Sequence, residues 1–234
     1  MVLPDMKAAE RSSWAAIFDV DGTLVPNLDY HREAWLEYGR RHSLPITSDY
    51  YRDRIHSRAN SQIVGHLAQD FGWQPPADGS AGDEKEAIYR ELYRPHLREV
   101  PGATRLIKEL RARAVPCAAV SNSPRPNVDM VLGELGLADC FQFVLTADGI
   151  ARGKPDPAAF LAAAAHLGVP IGRCLVFEDS VSGFQAAERA GARYVAVSAG
   201  AEPSALKQAG KAVRSIRDFT EITVDTLTDL VARP

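Results

Sequence analysis

Short, almost wholly apolar runs that stop at polar clusters recur along this chain. Residues 14–18 (WAAIF) end at the cluster 19–23, residues 116–120 (PCAAV) at Ser121 and Asn122, residues 173–177 (RCLVF) at Glu178 and Asp179, and residues 193–197 (RYVAV) at Ser198. Runs of this length and continuity predict strands buried on both faces. Between them apolar positions return at helical spacing, in 103–113 through Leu106, Ile107 and Leu110, and again in 128–137, 157–167 and 181–190. The alternation predicts an α/β fold, a Rossmann-like parallel sheet with helices on both faces. Ligands of such sheets sit beyond the carboxyl ends of the strands. Because the polar clusters fall at those ends, residues distant in sequence are expected to meet at one edge.

Residues 27–97 break the alternation. They offer three charge-rich helical patterns, 30–41, 61–71 and 83–93, and no convincing strand, while 72–82 is rich in Pro, Gly and Ala and reads as a turn region. The expected organisation is a core domain of 1–26 and 98–234 with a helical insert of 27–97 in its first crossover. The chain leaves at Pro26 and returns near Pro101 and Gly102. Residues 216–230 read as a final strand and helix.

The chain has 234 residues, 46% hydrophobic and 24% charged, enough to bury a real core. Lysine and arginine number 27 against 30 aspartates and glutamates, a net charge of −3. No basic face for nucleic acid or anionic membranes is expected. Cys117, Cys140 and Cys174 are too few and too scattered for a metal knuckle and read as reduced core residues. Asp5, Lys7, Glu10 and Arg11 precede any apolar run, and His166 and Gly168 interrupt the longest one, so neither a secretory leader nor a spanning helix is expected. A cytoplasmic protein is the default.

Asp19 and Asp21 stand two apart at a strand end, where strand alternation would point both to one side. Close carboxylates need a cation or a shared proton. The alternatives are a polar turn or the start of a calcium loop, though Thr23, Leu24 and Val25 stand where that loop needs oxygen ligands. Ser121 and Asn122 can hydrogen-bond an anionic oxygen, or simply cap a helix. Lys154 lies in the stiff segment Gly153-Lys154-Pro155-Asp156-Pro157, which is no phosphate loop; it is a fixed cation for a phosphate or carboxylate, or a solvated charge. Glu178 and Asp179 are a helix-start acidic pair or magnesium ligands. Together the clusters supply what a phosphoryl-transfer site uses.

These motifs, Phe18-Asp19-Val20-Asp21-Gly22-Thr23-Leu24, Ser121-Asn122, Gly153-Lys154-Pro155-Asp156-Pro157 and Glu178-Asp179-Ser180, resemble those of the haloacid dehalogenase superfamily over about residues 16–200. The insert is similar in position to the helical cap of the beta-phosphoglucomutase-like phosphatases, and Tyr30-His31-Arg32-Glu33-Ala34-Trp35 resembles their first cap helix. The resemblance implies that Asp19 is a nucleophile forming an aspartyl phosphate and that Asp21 is the acid and base. It implies Mg2+ held by Asp19, the Asp21 carbonyl and Asp179, with Glu178 adjacent or acting through water. Ser121, Asn122 and Lys154 would bind the phosphoryl oxygens. The expected activity is hydrolysis of a small phosphorylated metabolite, a sugar or nucleoside monophosphate, by a monomer or weak homodimer. A phosphomutase and a non-catalytic binding protein are the alternatives.

The chain departs from the subgroup where substrate is chosen. Pro26-Asn27 replaces an Asp followed by Ser or Thr, and the cap loop reads His56-Ser57-Arg58-Ala59-Asn60 without the mutase's specificity segment. His56 and Arg58 contact a second anionic or hydroxylated part of the substrate, or belong to a solvated loop. His31 and Trp35, one helical turn apart, line the cleft under the cap or pack the cap onto itself.

Overall fold

The computed structural model describes residues 12–56, 58, 60–201 and 203–232. The charged segment 5–11 and, in the loop 56–60, Ser57 and Ala59 lie outside the described residues. Two compact units are present, Met1–Pro26 with Arg98–Pro234, and Asn27–Leu97.

In the first unit β1 (Ala15–Phe18) has no exposed residue, as a strand covered on both faces requires. The second unit follows with α1 (Leu28–Arg41), α2 (Asn60–Phe71) and α3 (Ala81–Tyr93) as its long helices. The chain then resumes the alternation: α4 (Ala103–Ala112), β2 (Cys117–Val120), α5 (Arg125–Glu134), β3 (Phe143–Leu145), α6 (Ala158–Leu167), β4 (Cys174–Glu178), α7 (Val181–Ala190), β5 (Arg193–Val197), β6 (Arg214–Ile216) and α8 (Val224–Ala232). The six strands are parallel in the order β3-β2-β1-β4-β5-β6. β1 therefore lies between β2 and β4, beside the point where the strand order reverses and such sheets open a crevice.

Most sequence-based elements recur within a residue or two. The helix expected at 128–137 is displaced to Arg125–Glu134, because Pro126 suits its first turn and Gly136, at φ 62°, lies beyond its end. β3 was not foreseen. It has three half-buried residues at the sheet edge, too few to show a period.

Register levels the strands. Phe18 pairs with Ala119 on one side and Phe177 on the other, and the Phe18 and Phe177 rings stack at 4.5 Å. The alanines of α6 let it lie close on the sheet, with Ala159, Phe160, Ala163 and Ala164 buried. Cys117, Cys140 and Cys174 are buried and unbridged. Among the described residues no helix is long and apolar enough to cross a membrane.

Candidate active site

β1 and β4 end level, so Asp19 follows one and Glu178 closes the other. The Asp19 N–H continues the ladder by donating to the Phe177 carbonyl at 3.0 Å. Between these two carboxylates lies the Lys154 ammonium, which donates to Asp19 Oδ1 at 2.5 Å, to Glu178 Oε1 at 2.5 Å and to the Val120 carbonyl at 3.1 Å. All three side chains are buried. Glu178 Oε2 accepts from the N–H groups of Asp179 and Ser180 and from the Ser180 hydroxyl. That hydroxyl in turn caps α7 by accepting from the Gly183 N–H.

The loop after β1 folds tightly on itself. Leu24 N–H donates to the Val20 carbonyl at 2.9 Å and Gly22 N–H to the Val25 carbonyl at 2.8 Å. Since β1 stops at Phe18, this turn rather than strand alternation places Asp21, which corrects the reason expected from sequence. Gly22 has φ +85°, and a Cβ there would overlap the Asp179 carboxylate, so the turn admits only glycine. Asp21 Oδ2 accepts from the Ser121 hydroxyl at 2.9 Å, and Asp179 Oδ1 accepts from the Thr23 hydroxyl at 2.9 Å. Asn122 is exposed at the end of β2; its side chain meets the Lys154 backbone, with Oδ1 accepting from the Lys154 N–H at 3.0 Å and Nδ2 donating to the Lys154 carbonyl at 3.4 Å.

Carboxylate oxygens of Asp19, Glu178 and Asp179 lie within 4.8 Å of one another, all buried. Burial pushes the Asp19 carboxyl up to about 8; Lys154 opposes the shift, while Glu178 and Asp21 add to it. Asp179 is held well above the usual carboxylate range by burial, then by Glu178 and Asp19. Burial works against the Lys154 ammonium, but Asp19 and Glu178 outweigh it and keep it charged. Three carboxylates with one ammonium among them leave negative charge that a hard divalent cation would balance, and the donors are all oxygen. The residues fit a metal site.

The second unit carries its own buried polar cluster. Lys85, on the face of α3 that also buries Ala81, Ile88 and Tyr89, donates to Glu86 Oε1 at 2.9 Å and meets His31 Nδ1 at 3.0 Å. His31 stacks on Tyr89 at 3.9 Å, and the Lys85 ammonium lies 5.7 Å from the Trp35 ring centre. Asn60 Nδ2 donates to Glu86 Oε1 at 2.8 Å. His31 and Trp35 are thus together in this cluster, whereas His56 and Arg58 are exposed, with Arg58 Nη1 donating to the His56 carbonyl at 3.3 Å. Sequence reasoning missed Lys85 and Glu86. The signal was available: Ala81, Lys85, Ile88 and Tyr89 follow i, i+4, i+7, i+8 and set Lys85 on the apolar stripe.

Residues 15–191 match the haloacid dehalogenase-like hydrolases, and the chain belongs to that family. It is 32% identical to the validoxylamine A 7'-phosphate phosphatase of Streptomyces hygroscopicus subsp. limoneus over 211 residues, covering 88% of this chain and 94% of that protein. With hexitol phosphatase A of Escherichia coli it shares 29% identity over 204 residues, 87% of this chain and 92% of the relative. Among solved structures, a haloacid dehalogenase hydrolase of family IA, variant 3, from Entamoeba histolytica superposes with a TM-score of 0.81 at 28% identity, covering 94% of this chain and all of that one. A beta-phosphoglucomutase of Clostridium difficile shares the fold, with a TM-score of 0.75 at 22% identity over 94% of this chain and 97% of its own. The chain is a phosphatase of this family acting on phosphorylated metabolites.

Proposed function

We propose that this protein is a Mg2+-dependent phosphomonoesterase that cleaves a small sugar or nucleoside monophosphate through an aspartyl phosphate on Asp19. The observation that carries the reading is the Lys154 ammonium shared at 2.5 Å by Asp19 and Glu178, buried where β1 and β4 end.

Burial alone would keep Asp19 protonated and unreactive. Lys154 opposes this without overcoming it, and a divalent cation held beside the same carboxylate would complete the shift to the ionised, nucleophilic form. An Asp19 oxygen attacks phosphorus, the bond to the ester oxygen breaks, and Asp21 gives its proton to the departing alkoxide. Asp21 next takes a proton from water, whose oxygen displaces the phosphoryl group from Asp19 and releases inorganic phosphate. Ser121, donating to Asp21 Oδ2, orients that acid and base. Lys154 faces the phosphoryl oxygens as their charge is redistributed. Mg2+ would be held by Asp19, Asp179 and the Asp21 carbonyl, with Glu178 beside them, and when bound would offset the negative charge of the phosphoryl group.

The helical unit is read as a cap that selects the leaving group; its exposed His56 and Arg58 are the candidates for contact with substrate, while His31 and Trp35 pack the unit onto itself against Lys85 and Tyr89. Its loop 56–60 lacks the mutase's specificity segment, which favours hydrolysis over transfer to a second sugar position. Release of p-nitrophenol from p-nitrophenyl phosphate tests the proposal. Activity is expected with Mg2+, loss with EDTA, and loss of at least about 1,000-fold in Asp19→Asn, a variant that keeps its circular dichroism spectrum. Full turnover by Asp19→Asn would overturn it. Conversion of a hexose 1-phosphate to its 6-phosphate, with no free phosphate, would instead establish the mutase.

A further inference from the structure

The resemblance places Asn122 on the phosphoryl group, yet its side chain is occupied elsewhere. Lys154 lies between α6 and the chain leaving β3, in a segment with no strand or long helix of its own. Its ammonium must nevertheless stay within hydrogen-bond distance of two buried carboxylates and the Val120 carbonyl. A lysine side chain has many rotamers, so the backbone that launches it must be fixed for the head to be fixed. Here the fixing comes from the end of β2. Asn122 accepts from the Lys154 N–H at 3.0 Å and donates to the Lys154 carbonyl at 3.4 Å, gripping both backbone groups of one residue. The Val120 carbonyl, two residues earlier, accepts from the same lysine's ammonium at 3.1 Å. Both ends of Lys154 are thus referred to one three-residue stretch that continues a rigid central strand. Arg189 supports the next position by donating to the Pro155 carbonyl at 2.9 Å.

We propose that Asn122 is a positioning residue that sets the Lys154 ammonium against Asp19 and the phosphoryl group, acting through the Lys154 backbone and not by direct contact with substrate. The proposal rests on the phosphatase reading. It fits the side chain's chemistry, since an amide offers an acceptor and a donor side by side, one for each backbone group of Lys154. It also fits its exposure, because a clasp at the rim adds nothing to the core.

The test is a double-mutant cycle with p-nitrophenyl phosphate and Mg2+, run beside Asp19→Asn. Loss of activity in Asp19→Asn establishes the underlying reading; retained activity there would defeat that reading and leave the cycle's outcome to be judged separately by the resonance measurement below. Asn122→Ala is expected to lower kcat about 10- to 100-fold with KM changed less than about 3-fold. In a Lys154→Met background the same change is expected to cost less than about 3-fold, because the group it positions is gone. Equal losses in both backgrounds would overturn the proposal and return Asn122 to the substrate. Lys154→Met removes a buried charge and can fail to fold, so a second measurement stands alone. In protein labelled with 15N-lysine, the shielded Lys154 ammonium resonance is expected to shift or broaden in Asn122→Ala, with the melting temperature within about 3 °C of the parent. An unchanged resonance would also overturn the proposal.

Discussion

Gly183 stands where any side chain would run into the Glu178 carboxylate, since a Cβ built there overlaps all three carboxylate atoms. In the first turn of a helix a glycine normally costs stability relative to alanine, about 1 kcal/mol, so Gly183→Ala ought to help. The overlap reverses the sign: a loss of about 1–3 kcal/mol is expected, with reduced phosphatase activity because Glu178 holds Lys154. Gly133 in α5 has nothing within 4 Å of its own Cβ position, and Gly133→Ala is expected to gain about 0.5–1 kcal/mol. Urea denaturation of the two variants checks the pair, and a stabilised Gly183→Ala would show that the carboxylate moves aside freely. Such a role was hidden from the sequence, as was that of Thr23, which bonds Asp179 across 156 positions. Close approach between elements leaves no local pattern. The meeting of Asp19, Ser121 and Glu178 was legible, because each follows directly on an apolar run.

At the scale of the element, legibility follows length and burial. β1, β2, β4 and β5 were visible because burial on both faces leaves an unbroken apolar run, and α7 because its apolar residues keep a helical period. β3 is half-buried and short, and its sequence carries no comparable mark. α3 hides a different feature. Its abundance of charge reads as solvation, yet Lys85 and Glu86 are both buried and bonded to each other. Burial presses the Glu86 carboxyl up, but Lys85 and His31 outweigh it and hold Glu86 below its usual range. Removing one partner leaves the other charge in an apolar setting, so Glu86→Leu is expected to cost about 3–5 kcal/mol in chemical denaturation. Glu86→Leu combined with Lys85→Met should cost less than the single change, since no buried charge is then stranded. A single variant within about 0.5 kcal/mol of the parent would show that water reaches Lys85.

Across the whole molecule, a fold that brings three carboxylates and one ammonium into a buried space stores unfavourable charge, and that charge ties stability to pH. Asp19 titrates near its ordinary 3.8 in the unfolded chain but at about 8 in the native one. Between those values the native state holds a proton that the unfolded state has lost, so raising the pH favours unfolding. Asp179 acts in the same direction, while Lys154, held above its usual range, stays charged throughout and contributes no slope. In EDTA the melting temperature is therefore expected to fall from pH 5 to pH 8, with each fully linked group contributing about 1 kcal/mol per pH unit. Asp19→Asn cannot titrate and should flatten part of this fall. Mg2+ held as proposed would compete with the proton for the same carboxylates and bind only the native state, so the rise in melting temperature it gives should be larger at pH 8 than at pH 5. Differential scanning calorimetry with and without Mg2+ checks both slopes. A metal-free melting temperature that climbs steadily over this range, equally in the parent and in Asp19→Asn, would mean that Asp19 is already ionised in the native protein and that Lys154 alone balances the site.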